Sequence, residues 1–224
     1  MDGRVAQRIR ELIVEGVLPA GSRVAEAAVA ERLGVSRTPV RNALPALAGE
    51  GLLEPAGKRG YAVRNFTVQD RYRATEIRCV LEGYAARELA SREDRQPEVD
   101  SLRTILAEGD AIFAKGHVVL EDEQAYAEMN GRFHDLIVGG ARDALLADLI
   151  HRVYSVPFVA PNVVASNRIP LDEIYPILMT GHRQHHAIVD AIEAGQSDVA
   201  ESLMRGHSTP ARRTLGLEGG RAHE

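Results

Sequence analysis

Eight consecutive residues, Gly34-Val35-Ser36-Arg37-Thr38-Pro39-Val40-Arg41, constrain this 224-residue chain more than any other segment. A glycine stops one short helical stretch, and two residues later Ser36, a good N-cap type, opens the next. Pro39 falls in the first turn of that helix, where a missing N–H is tolerated. Upstream, Val5, Ile9, Leu12 and Ile13 recur at helical spacing until Gly16. A turn at Pro19, Gly21 and Ser22 then leads into a helix from about Glu26 to Leu33. Val40, Leu44 and Leu47 give the third helix a core face, and Gly51 ends it. Leu52-Leu53-Glu54 and Tyr61-Ala62-Val63 flank a Gly-rich turn and read as a β-hairpin. Three helices followed by a hairpin are the order of a winged helix-turn-helix.

From Thr67 onward the periodicity is almost purely helical. Helices are expected over about 67–92, 97–114, 118–138, 142–155, 171–194 and 197–215, with breaks at Pro97, Gly139-Gly140, Pro157–Pro170 and Gly195. The expected fold class is mainly α: an N-terminal winged helix-turn-helix with a small β-hairpin wing over 1–65, and a C-terminal all-α helical bundle over 66–218. Charge divides along the same line. Residues 1–64 carry ten Lys/Arg against seven Asp/Glu, whereas the remainder carries seventeen against twenty-five. A basic first third on an acidic body suits a nucleic-acid module joined to something else. The single cysteine, Cys79, excludes an intrachain disulfide. With no signal-like start and no apolar run approaching ~20 residues, a cytoplasmic protein without a membrane partner is expected.

The start of the third helix carries chemistry suited to a duplex. Ser36, Arg37, Thr38 and Arg41 occupy its first turns, and Arg37 and Arg41 at i and i+4 share a face. An arginine there can bridge guanine or neutralise phosphate in the major groove, and hydroxyls at a helix start suit phosphate. Lys58 and Arg59 fall on the hairpin tip, where a wing would touch the neighbouring backbone.

The helical half holds seven histidines, and four of its positions make a pattern. Asn130 and His134, at i and i+4, project from one helix face. His185 and His207 lie eleven residues before and after the turn at Gln196. In an antiparallel helix pair they therefore stand at one height, ~16 Å from the turn. Three imidazoles and an amide oxygen would make a first-row metal site for Zn, Ni or Mn, with positions left for water or a carboxylate. His151, His182 and His186 read instead as surface or packing residues.

The run GVLPAGSRVAEAAVAERLGVSRTPVRNALPALAGEGLL closely resembles the DNA-binding domain of the GntR family of regulators, with Gly60 and Val63 matching its wing. The resemblance implies operator contacts by Arg37, Thr38 and Arg41 and by the wing around Lys58, Arg59 and Gly60. The chain departs from the family at Asn42, where Glu is usual, at Ala27 and Ala28, and at Pro45 inside the recognition helix. IRCVLEGYAARELA at 77–90, NGRFHDLIVGGA at 130–141 and HHAIVDAIEAGQSDVAESLMRGH at 185–207 resemble the ligand-binding domain of the FadR branch. That branch implies a metal held by Asn130, His134, His185 and His207, with Asn130 where Asp is most frequent. It also implies that Arg78 faces the effector pocket, where it could clamp a carboxylate; an i,i+4 salt bridge to Glu82 is the alternative.

The expected function is a homodimeric regulator, a repressor by family habit, that binds double-stranded operator DNA under control of a small-molecule effector, an organic acid in type. The metal would serve the effector or stiffen the fold. A non-sensing helical dimerisation scaffold is the alternative. A metal-dependent hydrolase is remote, because there is no His-Glu-x-x-His motif, no placed nucleophile and no phosphate-binding glycine loop. No enzyme activity is expected.

Overall fold

The structure is a computed structural model and describes residues 2–14, 16–57, 60–156, 159–162 and 170–207. It divides into two compact units, the first running to Arg71 and the second from Tyr72 onward apart from residues 155–157.

The first unit opens with α1 (Asp2–Val14), α2 (Glu26–Leu33) and α3 (Arg37–Gly49). α1 and α2 both pack on α3. Their shared core contains Ile9, Val29, Val40, Leu44 and Leu47, all buried. α2 stops at Gly34, whose φ of 66° is left-handed, and its N–H donates to the carbonyls of Ala30 and Glu31. That closure needs a residue tolerant of positive φ. Ser36 is the extended N-cap of α3, but its hydroxyl makes no capping hydrogen bond. β1 (Leu53–Pro55) and β2 (Tyr61–Val63) then pair antiparallel, with Leu53 opposite Val63 and Pro55 opposite Tyr61. The other edge of β2 is held by the 21–24 segment, through Val24 N–H to Tyr61 O and Val63 N–H to Ser22 O.

The second unit is helical among the described residues. It comprises α4 (Val68–Ser91) from Tyr72 onward, α5 (Gln96–Phe113), α6 (Leu120–Gly140), α7 (Ala144–Tyr154), α8 (Leu171–Glu193) and α9 (Ser197–Gly206). The helix expected to reach residue 215 lies outside the described residues beyond His207. α5 packs on α6 and α8, and α8 on α9. Leu89, Val99, Leu102, Phe133, Ile137, Ile150, Ile188 and Ile192 form a core with no exposed surface. α4 meets α9 so closely that a Cβ on Gly83 would lie 3.1 Å from the carbonyl oxygen of Glu201. Arg87 pairs with Asp198 and Glu201 across the same contact. No described helix is long and apolar enough to cross a membrane.

α3 is unbroken from Arg37 to Gly49 although Pro45 lies inside it. The proline is exposed, so its ring contributes no core packing while it removes one helical hydrogen bond. Pro45→Ala is therefore expected to stabilise the first unit, by up to about 3 kcal/mol. Urea unfolding followed by circular dichroism would measure it.

Candidate functional site

Two groups of side chains stand out, one in each unit. In the first, α3 begins at Arg37 and leaves Ser36, Arg37, Thr38 and Arg41 exposed. The two arginines point to the same side, as i,i+4 spacing requires, and both meet Glu26 at the start of α2. Arg41 Nη2 lies 2.8 Å from Glu26 Oε2, and Arg37 Nη2 lies 3.7 Å from the same oxygen. Both side chains keep 64% of their surface exposed, so the cationic face remains open to a partner. The hydrogen bond from Arg41 lowers the Glu26 carboxyl below its ordinary value. Gly60 is exposed on the hairpin, and its backbone carbonyl accepts from Ala56 N–H at 3.0 Å. Lys58 and Arg59 lie outside the described residues.

In the second unit three imidazoles from three helices converge. His134 comes from α6, His185 from α8, and His207 from the C-cap of α9. All three are buried, and one ligating nitrogen from each lies within 4.8 Å of the others. The Nε2 atoms of His185 and His207 stand 2.8 Å apart. The equal offsets from Gln196 thus place the two rings level across the α8–α9 hairpin. His207 Nδ1 lies 3.0 Å from Gln184 Oε1, a contact that fixes a proton on Nδ1 and leaves the Nε2 lone pair facing the cluster. Asn130, one turn before His134, donates through its amide to Pro161 O at 2.6 Å. Its Oδ1 is buried without a hydrogen-bond partner, as is His134 Nε2.

Glu82 supports this cluster from α4. Its carboxylate lies 3.1 Å from His134 Nδ1, a close approach that lacks hydrogen-bond alignment. Tyr154 donates its hydroxyl to Glu82 Oε1 at 2.5 Å. Arg78 Nε stands 3.2 Å from the same oxygen and 3.3 Å from the other. Arg78 Nη1 donates to Val159 O at 2.5 Å. Burial by itself would raise the Glu82 carboxyl, but Arg78 and His134 outweigh it and hold the group at about 2. Burial, then the neighbouring imidazoles, push His185 and His207 well below 6.5. Both rings are therefore neutral at pH 7, the state a metal ligand requires. Neutral imidazoles, a buried amide oxygen without a partner and a carboxylate behind His134 fit a divalent transition metal.

The i,i+4 alternative for Arg78 is present as a contact, buried rather than at the surface. Sequence reasoning missed Gln184 and Tyr154 as supports. Gln184 adjoins His185, but nothing local reveals that it reaches His207. His182, buried against Phe113, and His186, partly exposed, keep the packing and surface roles read for them, and both also meet Asp110, which sequence reasoning missed.

Comparison with known proteins assigns both units. Residues 2–63 match the model for bacterial regulatory proteins of the gntR family, and residues 73–209 match the FCD domain. The "Probable D-xylose utilization operon transcriptional repressor" of Paenarthrobacter nicotinovorans is 32% identical over 212 residues, covering 91% of this chain and 85% of that protein. The "Gluconate operon transcriptional repressor" of Bacillus subtilis (strain 168) is 26% identical over 190 residues, covering 85% of this chain and 74% of that one. Among solved structures, E. coli McbR/YncC superposes with a TM-score of 0.72 at 18% identity, covering 96% of this chain and 97% of that one, which shows a shared fold. The chain belongs to the GntR family, and its second unit is an FCD domain. It is a DNA-binding transcription regulator with an effector-binding helical domain.

The buried charges give stability a defined pH dependence. Glu82, ordinarily 4.5 and here about 2, contributes stability that is fully present above 4.5 and withdrawn as pH falls toward 2. His185 and His207, held below 6.5, resist protonation, so stability begins to fall once pH drops below 6.5. A melting-temperature profile of the metal-free chain is expected to show both declines on acidification. Glu82→Gln would leave buried Arg78 without its counter-charge and is expected to cost about 3–5 kcal/mol, measured by denaturant unfolding at pH 7.

Proposed function

We propose that the chain is a homodimeric, metal-containing repressor that releases operator DNA when an organic acid enters its helical domain. The observation that carries the sensing half is the convergence of three buried imidazoles beside the partnerless Oδ1 of Asn130. Asn130, His134, His185 and His207 would hold Zn, Ni or Mn, and the metal when bound would act as a Lewis acid toward a carboxylate. Arg78 adds a cation next to the cluster. Its Nε and Nη1 are engaged by Glu82 and Val159, which leaves Nη2 to receive the effector.

On the DNA side, Ser36, Arg37, Thr38 and Arg41 would enter the major groove, while Lys58, Arg59 and Gly60 on the wing would follow the adjacent backbone. One such head makes few base contacts, so two heads on a near-palindromic site are needed for tight binding. α4 has an exposed apolar stripe of Ile77, Val80 and Tyr84 at i, i+3 and i+7, which suits a symmetric helix contact. Effector occupancy would then alter the spacing of the paired heads. The reading as a repressor follows the printed names of the two relatives. We read the protein as non-catalytic: the cage is supported by a carboxylate already committed to Arg78, Tyr154 and His134, which leaves it unsuited to act as a general base.

Two measurements test this. Arg37→Ala and Arg41→Ala are each expected to weaken binding to a selected duplex by about 1–3 kcal/mol, with a shallower salt slope where the lost contact is to phosphate. Fluorescence anisotropy at several salt concentrations would read both, and unchanged affinity in the double variant would sink the DNA-contact assignment. Chelation is expected to lower the melting temperature by roughly 5–10 °C if the metal had been present at about a hundred times its Kd. Metal add-back should restore it, and organic acids should shift it further only when metal is present. No response to chelator or acids would leave the helical domain as a dimerisation scaffold.

A further inference from the structure

α8 presents histidines on two faces. His185 turns into the cage, whereas His182 and His186, at i and i+4, turn toward α5. There both Nε2 atoms approach one oxygen: Asp110 Oδ1 lies 2.9 Å from His182 and 3.0 Å from His186. The three donors fall within 4.8 Å of one another, and none of them belongs to the cage. The His182 ring is 2% exposed and packs against Phe113 at a centroid distance of 5.3 Å. It fits there because residue 109 is glycine; a Cβ at that position would lie 2.2 Å from His182 Cε1. His186 and Asp110 remain open, with 36% and 57% of their side-chain surface exposed.

We propose that Asp110, His182 and His186 form a second, solvent-facing site for a divalent first-row transition cation. Two imidazoles and one carboxylate are the donor set that zinc, nickel and cobalt accept. Octahedral ligands at about 2.1 Å in cis positions lie about 3 Å from each other, close to both observed nitrogen–oxygen edges, and a tetrahedral ion would need those edges to open to about 3.4 Å. What favours a cation is the number and type of donors, two imidazole nitrogens and a carboxylate oxygen within 4.8 Å of one another. One ring is held rigidly by packing, and two helices supply the three donors. The exposed side of Asp110 leaves the remaining coordination positions to water, so the outer ion exchanges more readily than one in the buried cage.

The full chain, stripped by chelator, is titrated with cobalt(II) by absorption and with zinc(II) by calorimetry. Two ions per chain are expected. Asp110→Asn and His186→Gln should each abolish the weaker equivalent while the metal-dependent rise in melting temperature is kept. Both positions are exposed, so the fold should survive, and far-UV circular dichroism would verify it. His134→Ala separates this proposal from the cage: it should remove the tighter ion and leave the outer one. If only the cage assignment is wrong, the wild type binds one ion that Asp110→Asn abolishes and His134→Ala does not. A chain that binds no ion, a single ion indifferent to Asp110→Asn and His186→Gln, or a second ion that survives both overturns the outer site.

Discussion

The Glu82 carboxylate is the constraint around which the helical domain is arranged. It is almost wholly buried and shares its two oxygens among an arginine, a tyrosine hydroxyl and a cage imidazole. A buried anion is costly unless its partners are placed with good geometry. The partners come from α4, α6 and α7, so the carboxylate fixes the relative rotation of three helices. Apolar contacts such as Leu89 against Gly140 set how close those helices come, but they do so with little directional preference. The polar cluster supplies the direction. It also places a negative charge 3.1 Å from His134 Nδ1, next to the cage.

Much of the fold was legible because its signals are local. Glycine and proline punctuation marked α2, α3 and the hairpin to within a residue or two, since left-handed caps and turns depend on the residues that form them. The level placement of His185 and His207 was legible too, because a helix hairpin converts equal offsets into equal heights. The role of Glu82 was not. An Arg and a Glu at i and i+4 look the same in sequence whether they lie on a wet surface or beneath a core, and only packing decides. Asp110 was hidden for a related reason. It lies 76 residues before His186, and nothing near either residue announces that α5 and α8 pack together.

Pro45 shows where local rules mislead in the opposite direction. An interior proline argues for a kink or an early stop, yet α3 runs past it to Gly49. Val40, Ala43, Leu44 and Leu47 are buried on both sides of it, and their contacts with α1 and α2 hold the helix together. Tertiary burial of that order exceeds one missing hydrogen bond and the associated propensity penalty.

Glu26 has a consequence for how the head meets a polyanion. It already neutralises Arg41 and stands near Arg37, so the recognition helix carries its own internal counter-ion. In the proposed DNA contact, a phosphate arriving at those guanidiniums would displace a tethered carboxylate instead of only mobile salt. The number of cations set free on association would then be smaller than the number of arginines meeting the duplex. Stretches of DNA that offer charge but no matching base edges would have to compete with that carboxylate.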